Sequence, residues 1–117
     1  GAFLSGGLSI EAAFQENVPI TVVIDNNGGL TTISQQQERL FGHDRHVATD
    51  FRDIPFHSLF EGLGGYGELV EDPGEVAAAV KRAIASGRTA CVNVRTRGVI
   101  SPIVAAVTSK RDKASIE

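Results

Sequence analysis

Apolar positions along this chain fall into helical and strand-like rhythms that alternate. In residues 6–17, Leu8, Ile10, Ala12, Ala13 and Phe14 stand among polar residues at a spacing that gathers most of them on one stripe of a helix. After Pro19 comes the β-branched run Ile20, Thr21, Val22, Val23, Ile24, apolar on both parities, which is the pattern of a parallel strand buried on both faces. Asp25, Asn26, Asn27, Gly28 and Gly29 then end the strand in a tight turn, because Asn tolerates left-handed backbone angles and Gly adopts them freely.

Residues 32–41 are rich in Gln and Glu, with Ile33, Leu40 and Phe41 apolar, and predict a short, partly buried helix closed by Gly42. Residues 43–53 are polar and aperiodic, so they are assigned no element and read as a surface excursion. Pro55 suits a first helical position, and Phe56, Leu59, Phe60 and Leu63 recur at helical spacing before Gly64 and Gly65. A short strand is expected over 66–70. The next helix has the clearest start: Asp72 as cap, Pro73 in the first turn and Glu75 reaching back in a capping box. Val76, Val80, Ala83 and Ile84 form its apolar face, Lys81 and Arg82 suit its C-terminal dipole, and Gly87 ends it. Residues 90–94 predict a further strand. Beyond Thr96 regularity is lost apart from an apolar patch at 103–107, and the charged tail 109–117 is expected to be mobile.

This order of elements predicts an α/β fold, a parallel sheet with flanking helices joined by right-handed crossovers. Such sheets bind ligands at the carboxyl ends of their strands, which directs attention to Asn26 and Asn27 just after Ile24.

Composition narrows the function classes. The chain has 117 residues, 42% apolar, with 11 Lys and Arg against 14 Asp and Glu for a net charge of −3, which suits one soluble globular domain at most. No apolar run approaches the ~20 residues that cross a bilayer, so no membrane association is expected. Scattered charges of both signs give no basic footprint, so no nucleic-acid partner is expected either. The single Cys91 and the absence of a signal-peptide pattern favour a reducing setting, and a cytoplasmic location is the expectation. The chain opens on Gly1 and holds no Met, so it is expected to continue a longer polypeptide, with any site across that junction only half visible.

The turn after the first strand carries the candidate chemistry. Magnesium takes hard oxygen ligands in a near-octahedral shell, and the side-chain oxygen of Asn27 with the main-chain carbonyl of Gly29 can offer two from one bend. Asp25 is a poor third ligand, two residues upstream near the strand end, where its side chain need not share the direction of Asn27. On these residues alone, a plain Asx-type turn is the alternative.

The wider pattern resembles the thiamin-diphosphate signature, a Gly-Asp-Gly triplet followed at a set distance by Asn-Asn at the end of an apolar strand. Gly1, Ala2, Phe3, Leu4 resembles the continuation of that triplet, with Gly1 as its last glycine, and Asn26 and Asn27 fall at the family spacing. Glu11, Ala12, Ala13 and then Asn17, Val18, Pro19 are typical of the connecting helix and its exit. The segment from Leu30 through Thr31, Thr32, Gln36 and Arg39 to Leu40 and Phe41 is similar to acetolactate synthase large subunits, although Thr32 and Gln36 stand where plant and fungal members usually carry Met and Trp. Benzaldehyde lyase, oxalyl-CoA decarboxylase and 2-hydroxyacyl-CoA lyase share the architecture.

The resemblance implies an incomplete thiamin-diphosphate-binding domain over residues 1–97, the C-terminal part of the pyrophosphate-binding domain, followed by a tail over 98–117. It implies thiamin diphosphate and magnesium as cofactors, with Asn27 and Gly29 on the metal, Gly1 and Ala2 presenting amides to the diphosphate, Leu30 and Thr31 along the cofactor, and Thr32 and Gln36 near a small-molecule substrate. The first Gly and the Asp of the triplet would lie just upstream, and the glutamate that activates the cofactor would lie on a pyrimidine-binding domain outside this chain. Catalytic residues are therefore not identified within it. The family's sites lie between subunits, which implies a homodimer or homotetramer. The expected activity is that of a lyase, decarboxylase or carboligase on 2-oxo acids or 2-hydroxyacyl substrates, the isolated piece being inactive; the alternative is a non-catalytic α/β ligand-binding or assembly domain.

The remaining polar residues are given no role. His43, His46 and His57 lack a carboxylate partner at useful spacing and read as loop residues, and Cys91 in a β-branched run reads as an inert core thiol. Lys110 to Lys113 reads as a solvated cluster, and residues 101–117 are a candidate lid in the whole enzyme.

Overall fold

The computed structural model describes residues 1–99 and Pro102; the apolar patch at 103–107, the tail at 109–117 with its lysines and most of the candidate lid lie outside the described residues. The chain forms two compact units. One comprises Gly1–Asn27 and Asp53–Arg97, the other Gly28–Arg52 and the segment that starts at Gly98.

The first unit is built on a fully parallel three-stranded sheet of β1 (Thr21–Asn26), β2 (Tyr66–Val70) and β3 (Ala90–Arg95), in the order β1-β3-β2. Val92 stands opposite Val23 on one side and Glu68 on the other. As the central strand, β3 buries Ala90, Cys91, Val92 and Asn93 completely, and its two parities serve two cores. Ala90 and Val92 pack with Val70 and with Ala79 and Ala83 of α5 (Val76–Ala85). Cys91 faces the other way, into a cluster with Ile24 and with Phe56 and Phe60 of α4 (Phe56–Gly62). Helices therefore cover both faces, as the strand pattern requires. α4 sits so close to β2 that a side chain at Gly67 would run into the main-chain oxygen of His57.

Several expectations shift by a few residues, for local reasons. The N-terminal helix begins earlier and is broken into α1 (Ala2–Gly6), a 3-10 turn (Gly7–Ile10) and α2 (Glu11–Gln15). The break falls at the glycine pair, where the Phe3 ring occupies the space a Gly7 side chain would take. Pro55 is the residue before α4 rather than its first. Asp72 does cap, accepting from the Gly74 amide at 2.8 Å, but the Glu75 carboxylate lies 3.8 Å from the Arg82 guanidinium, so the expected capping box gives way to a 3-10 turn, Pro73–Glu75. On α5 the buried stripe is Ala79 and Ala83, and Ile84 is 64% exposed: at eight residues from Val76 it rotates off the face toward its flank. Gly87, with φ +61°, ends the helix as expected.

The largest correction concerns β1. It is parallel, but it lies at the edge of the sheet with β3 as its one neighbour, and Val23 is 50% exposed. The core under α5 draws on β2 and β3 alone, so only the opposite face of β1, with Val22 and Ile24, is packed.

In the second unit, α3 (Thr31–Phe41) ends at Gly42, whose φ is +104°. α3 is partly buried, as expected, but through Thr31, Ser34, Gln35, Gln37 and Glu38, while Ile33, Leu40 and Phe41 are exposed. The segment after it has no helix or strand, as expected, but it returns to form an antiparallel bridge between Asp50 and Gly29.

Candidate cofactor-binding turn

At the carboxyl end of the first unit's sheet the polar groups are tied to one another. The Asp25 carboxylate accepts from the Thr96 hydroxyl, which ties it to the exit of β3. Asn26 donates from Nδ2 to the Ile54 carbonyl at 3.3 Å, and its own carbonyl accepts from the Thr96 amide at 3.0 Å. Arg95 closes the end of β3 by donating to Glu71 at 2.9 Å and to Asp53 at 2.5 Å. β1 runs through Asn26, two residues further than the apolar pattern shows, because main-chain pairing with β3 continues to Arg95 whatever the side chains. Asn27, half-buried, is the last residue of this unit. Gly1 and Ala2 are exposed at the start of α1.

The second unit opens at Gly28, with φ +78°, the left-handed angle predicted for this turn. Its carbonyl accepts from the Phe51 amide at 2.7 Å, and the Leu30 amide donates to the Thr49 carbonyl at 2.7 Å. Residues 28–30 are thus laced to residues 49–51 by main-chain bonds on either side of the Gly29 and Asp50 bridge. Gly29 lies against this partner so closely that a Cβ would stand 2.5 Å from the Thr49 oxygen. Leu30 caps α3 through its carbonyl, which accepts from Ile33 at 2.8 Å and Ser34 at 3.0 Å. Thr31 begins the helix and packs against Gly98. Thr32 and Gln36, one turn apart, are both exposed on α3.

The donor set decides which ion this bend suits. Among the described residues no group of three His, Cys, Asp or Glu side chains is placed to hold a metal. By chemical type, Asn27 carries a neutral carboxamide oxygen and Gly29 a neutral main-chain oxygen, both hard donors. Donors of this type suit magnesium, and an anionic ligand would have to balance its charge.

His46 contradicts the sequence expectation. Its Nδ1 lies 2.9 Å from a Glu38 oxygen and its Nε2 2.9 Å from an Asp50 oxygen. The four-residue spacing to Asp50 was visible, but outside a helix such spacing predicts no contact. His43 pairs with Asp44 at 2.9 Å in an exposed position, and His57 Nδ1 lies 3.2 Å from Asn93 Nδ2. Cys91 is the inert thiol expected: burial pushes its pKa up to about 12.

Comparison with known proteins decides the family. Residues 1–94 match the model for the C-terminal TPP binding domain of thiamine pyrophosphate enzymes. The chain belongs to this family. Over 97 residues, 82% of the chain, it is 37% identical to a probable acetolactate synthase of Mycobacterium bovis and to an acetolactate synthase large subunit of Mycobacterium tuberculosis. It is 27% identical over 103 residues, 85% of the chain, to a 2-hydroxyacyl-CoA lyase of Arabidopsis thaliana. The chain spans 17% of the length of each of these relatives. As a piece of a thiamine pyrophosphate domain of the acetolactate synthase-like group, it matches the family and the fold class inferred from Gly1, Asn26, Asn27 and the Gln-rich helix. No helix among the described residues is long and apolar enough to cross a membrane.

Proposed function

We propose that this chain supplies the metal-binding bend of a thiamin-diphosphate- and magnesium-dependent enzyme of acetolactate synthase type, a lyase, decarboxylase or carboligase acting on 2-oxo acids or 2-hydroxyacyl substrates. The observation that carries the reading is the bend at Asn27, Gly28 and Gly29, at the carboxyl end of a parallel strand in a chain of this family.

In this reading the Asn27 side-chain oxygen and the Gly29 carbonyl hold magnesium, and the amides of Gly1 and Ala2 hold the diphosphate. Leu30 and Thr31 line the cofactor, while Thr32 and Gln36 face the substrate from α3. Both metal donors are neutral, so the cation's charge is left for the diphosphate and for an Asp expected immediately before Gly1. When bound, thiamin diphosphate supplies a nucleophilic carbon and an electron sink for breaking or forming a bond beside a carbonyl. The protein's part is to orient and to exclude water. A homodimer or homotetramer, working in the cytoplasm, completes the proposal; the half-exposed Val18, Ile20 and Val23 along β1 and its approach support a surface that other parts of the assembly cover.

Calorimetry on the full-length protein with thiamin diphosphate and magnesium tests this reading. Asn27→Ala is expected to weaken binding at least ~10-fold, since even indirect supports of a metal site are worth that much. Unchanged affinity in the variant would refute the assignment and favour a non-catalytic domain.

A further inference from the structure

Among the described residues of the second unit, the cofactor assignment leaves unused a charged cluster of Glu38, His46 and Asp50. We propose that His46 is a positioning residue for the cofactor-binding turn: as an imidazolium it clamps the returning segment to α3 and so holds the main-chain ladder behind Gly28, Gly29 and Leu30. The inference rests on the functional reading above only for what the turn binds.

Geometry sets the protonation state. A neutral imidazole carries one N–H, so with a carboxylate oxygen 2.9 Å from each ring nitrogen, one contact would set lone pair against lone pair. The imidazolium donates at both. Glu38 faces the ring from α3 and Asp50 from the returning segment, and among the described residues these are the two charged groups that act on it. The hydrogen bond that His46 donates to Asp50 is the largest influence, and together with the one to Glu38 and the charges of both carboxylates it raises the His46 pKa against the opposing cost of desolvation. The cluster is a clamp rather than a metal centre, since the described residues present no metal-holding group.

The clamp matters because the segment is packed only near its end, where Thr49 is buried and Phe51 half-buried, and not where it leaves α3. Val47 is 77% exposed, and Leu40 and Phe41 at the end of α3 are exposed as well. Polar bonds do the fastening: His46 bridges Glu38 and Asp50, and the Val47 amide donates to Gln37 Oε1 at 2.8 Å. Asp50 is also the residue opposite Gly29, between the Thr49 and Phe51 main-chain bonds. A force on the Asp50 carboxylate is therefore a force on the segment that backs the turn.

The sign of the pH dependence follows. With its folded pKa raised, His46 contributes in full below its ordinary value near 6.5, and the contribution is lost as pH rises through the folded value. Deprotonation releases one of the two carboxylates and loosens residues 49–51.

The test uses the full-length protein, measuring amide exchange at Leu30 and Phe51 and calorimetric affinity for magnesium with thiamin diphosphate from pH 6 to 9. Expected is a loss of about twofold to fivefold in both as His46 deprotonates, the size of a partly exposed ion pair. His46→Gln should sit at the weaker level with a flat profile, and Asp50→Asn should move the inflection to lower pH. A wild-type profile in His46→Gln, or an inflection unmoved in Asp50→Asn, would overturn the clamp. If the exchange profiles behave as expected while no variant binds the cofactor, the clamp stands and the cofactor reading fails.

Discussion

Replacing Gly29 by Ala adds one carbon and leaves every proposed metal donor in place, so its effect isolates the fit of the turn against residues 49–51. The new Cβ would stand 2.5 Å from the Thr49 oxygen, 3.4 Å from its carbonyl carbon and 3.5 Å from the Asp50 Cα, all main-chain atoms that no rotamer change can move. Restoring a contact of about 3.5 Å requires the two segments to part by about 1 Å. The flanking bonds, Leu30 to Thr49 and Phe51 to Gly28, are both 2.7 Å, and a parting of that size takes both past the range of a hydrogen bond. At about 1 kcal/mol each, their loss costs about 2 kcal/mol, within the usual cost of overpacking. That is roughly 30-fold in the opening equilibrium. Gly28→Ala is the control: nothing lies within 4 Å of its Cβ, so only the left-handed φ of +78° is penalised, at about 1 kcal/mol. Hydrogen exchange at the Leu30 and Phe51 amides should therefore speed up more in Gly29→Ala than in Gly28→Ala, and affinity for magnesium with thiamin diphosphate should fall in the same order. Equal exchange in the two variants, or slow exchange retained in Gly29→Ala, would refute the argument that space rather than angle selects glycine at 29.

Two further outcomes test the fold. Phe60 is fully buried, with ring centroids 5.8 Å from Phe14 and 6.0 Å from Phe3, so Phe60→Ala should destabilise the first unit by about 3–5 kcal/mol in urea unfolding, whereas Phe60→Leu should cost far less. Cys91 should resist alkylation at pH 8 until the protein unfolds; and because burial raises its pKa to about 12, its contribution to stability is complete below the unfolded thiol value near ~8.5 and declines as pH climbs from there toward the folded value. Rapid native-state labelling of Cys91 would contradict the packing of β3.

Elements whose cues are local were readable from the chain. Asp72 and Pro73 announce a helix start, Gly42 and Gly87 announce helix ends, and the apolar run at 90–94 announces a strand; each is found where expected, though nothing in that run marked β3 as the central strand. The errors come from what lies across from an element rather than within it. β1 and β3 have similar β-branched sequences, yet β3 is central and β1 is an edge, since burial of a strand depends on its neighbours and on which helices reach it. Ile84 missed the core for a related reason: the small Ala79 and Ala83 let α5 approach the sheet closely, and hydrophobicity alone ranks them too low.

The same division runs through the site. Asn26, Asn27, Gly28 and Gly29 stand out because a β-branched run breaks into turn residues within a few positions. The opposing residues, Thr49, Asp50 and Phe51, sit in an aperiodic polar stretch whose pairing is made by main-chain atoms and therefore leaves no side-chain pattern. Only Gly29 carries a trace of that pairing, and the trace is ambiguous, because glycine answers two demands with one residue type. Gly28 meets a demand for angle, with open space around it; Gly29 meets a demand for space, with a neighbouring carbonyl where its side chain would be. From the sequence the two are alike, both readable as turn formers. From the structure they predict different tolerances: Asn, which accepts left-handed angles, can stand in at 28, while nothing larger than hydrogen fits at 29 without parting residues 28–30 from residues 49–51.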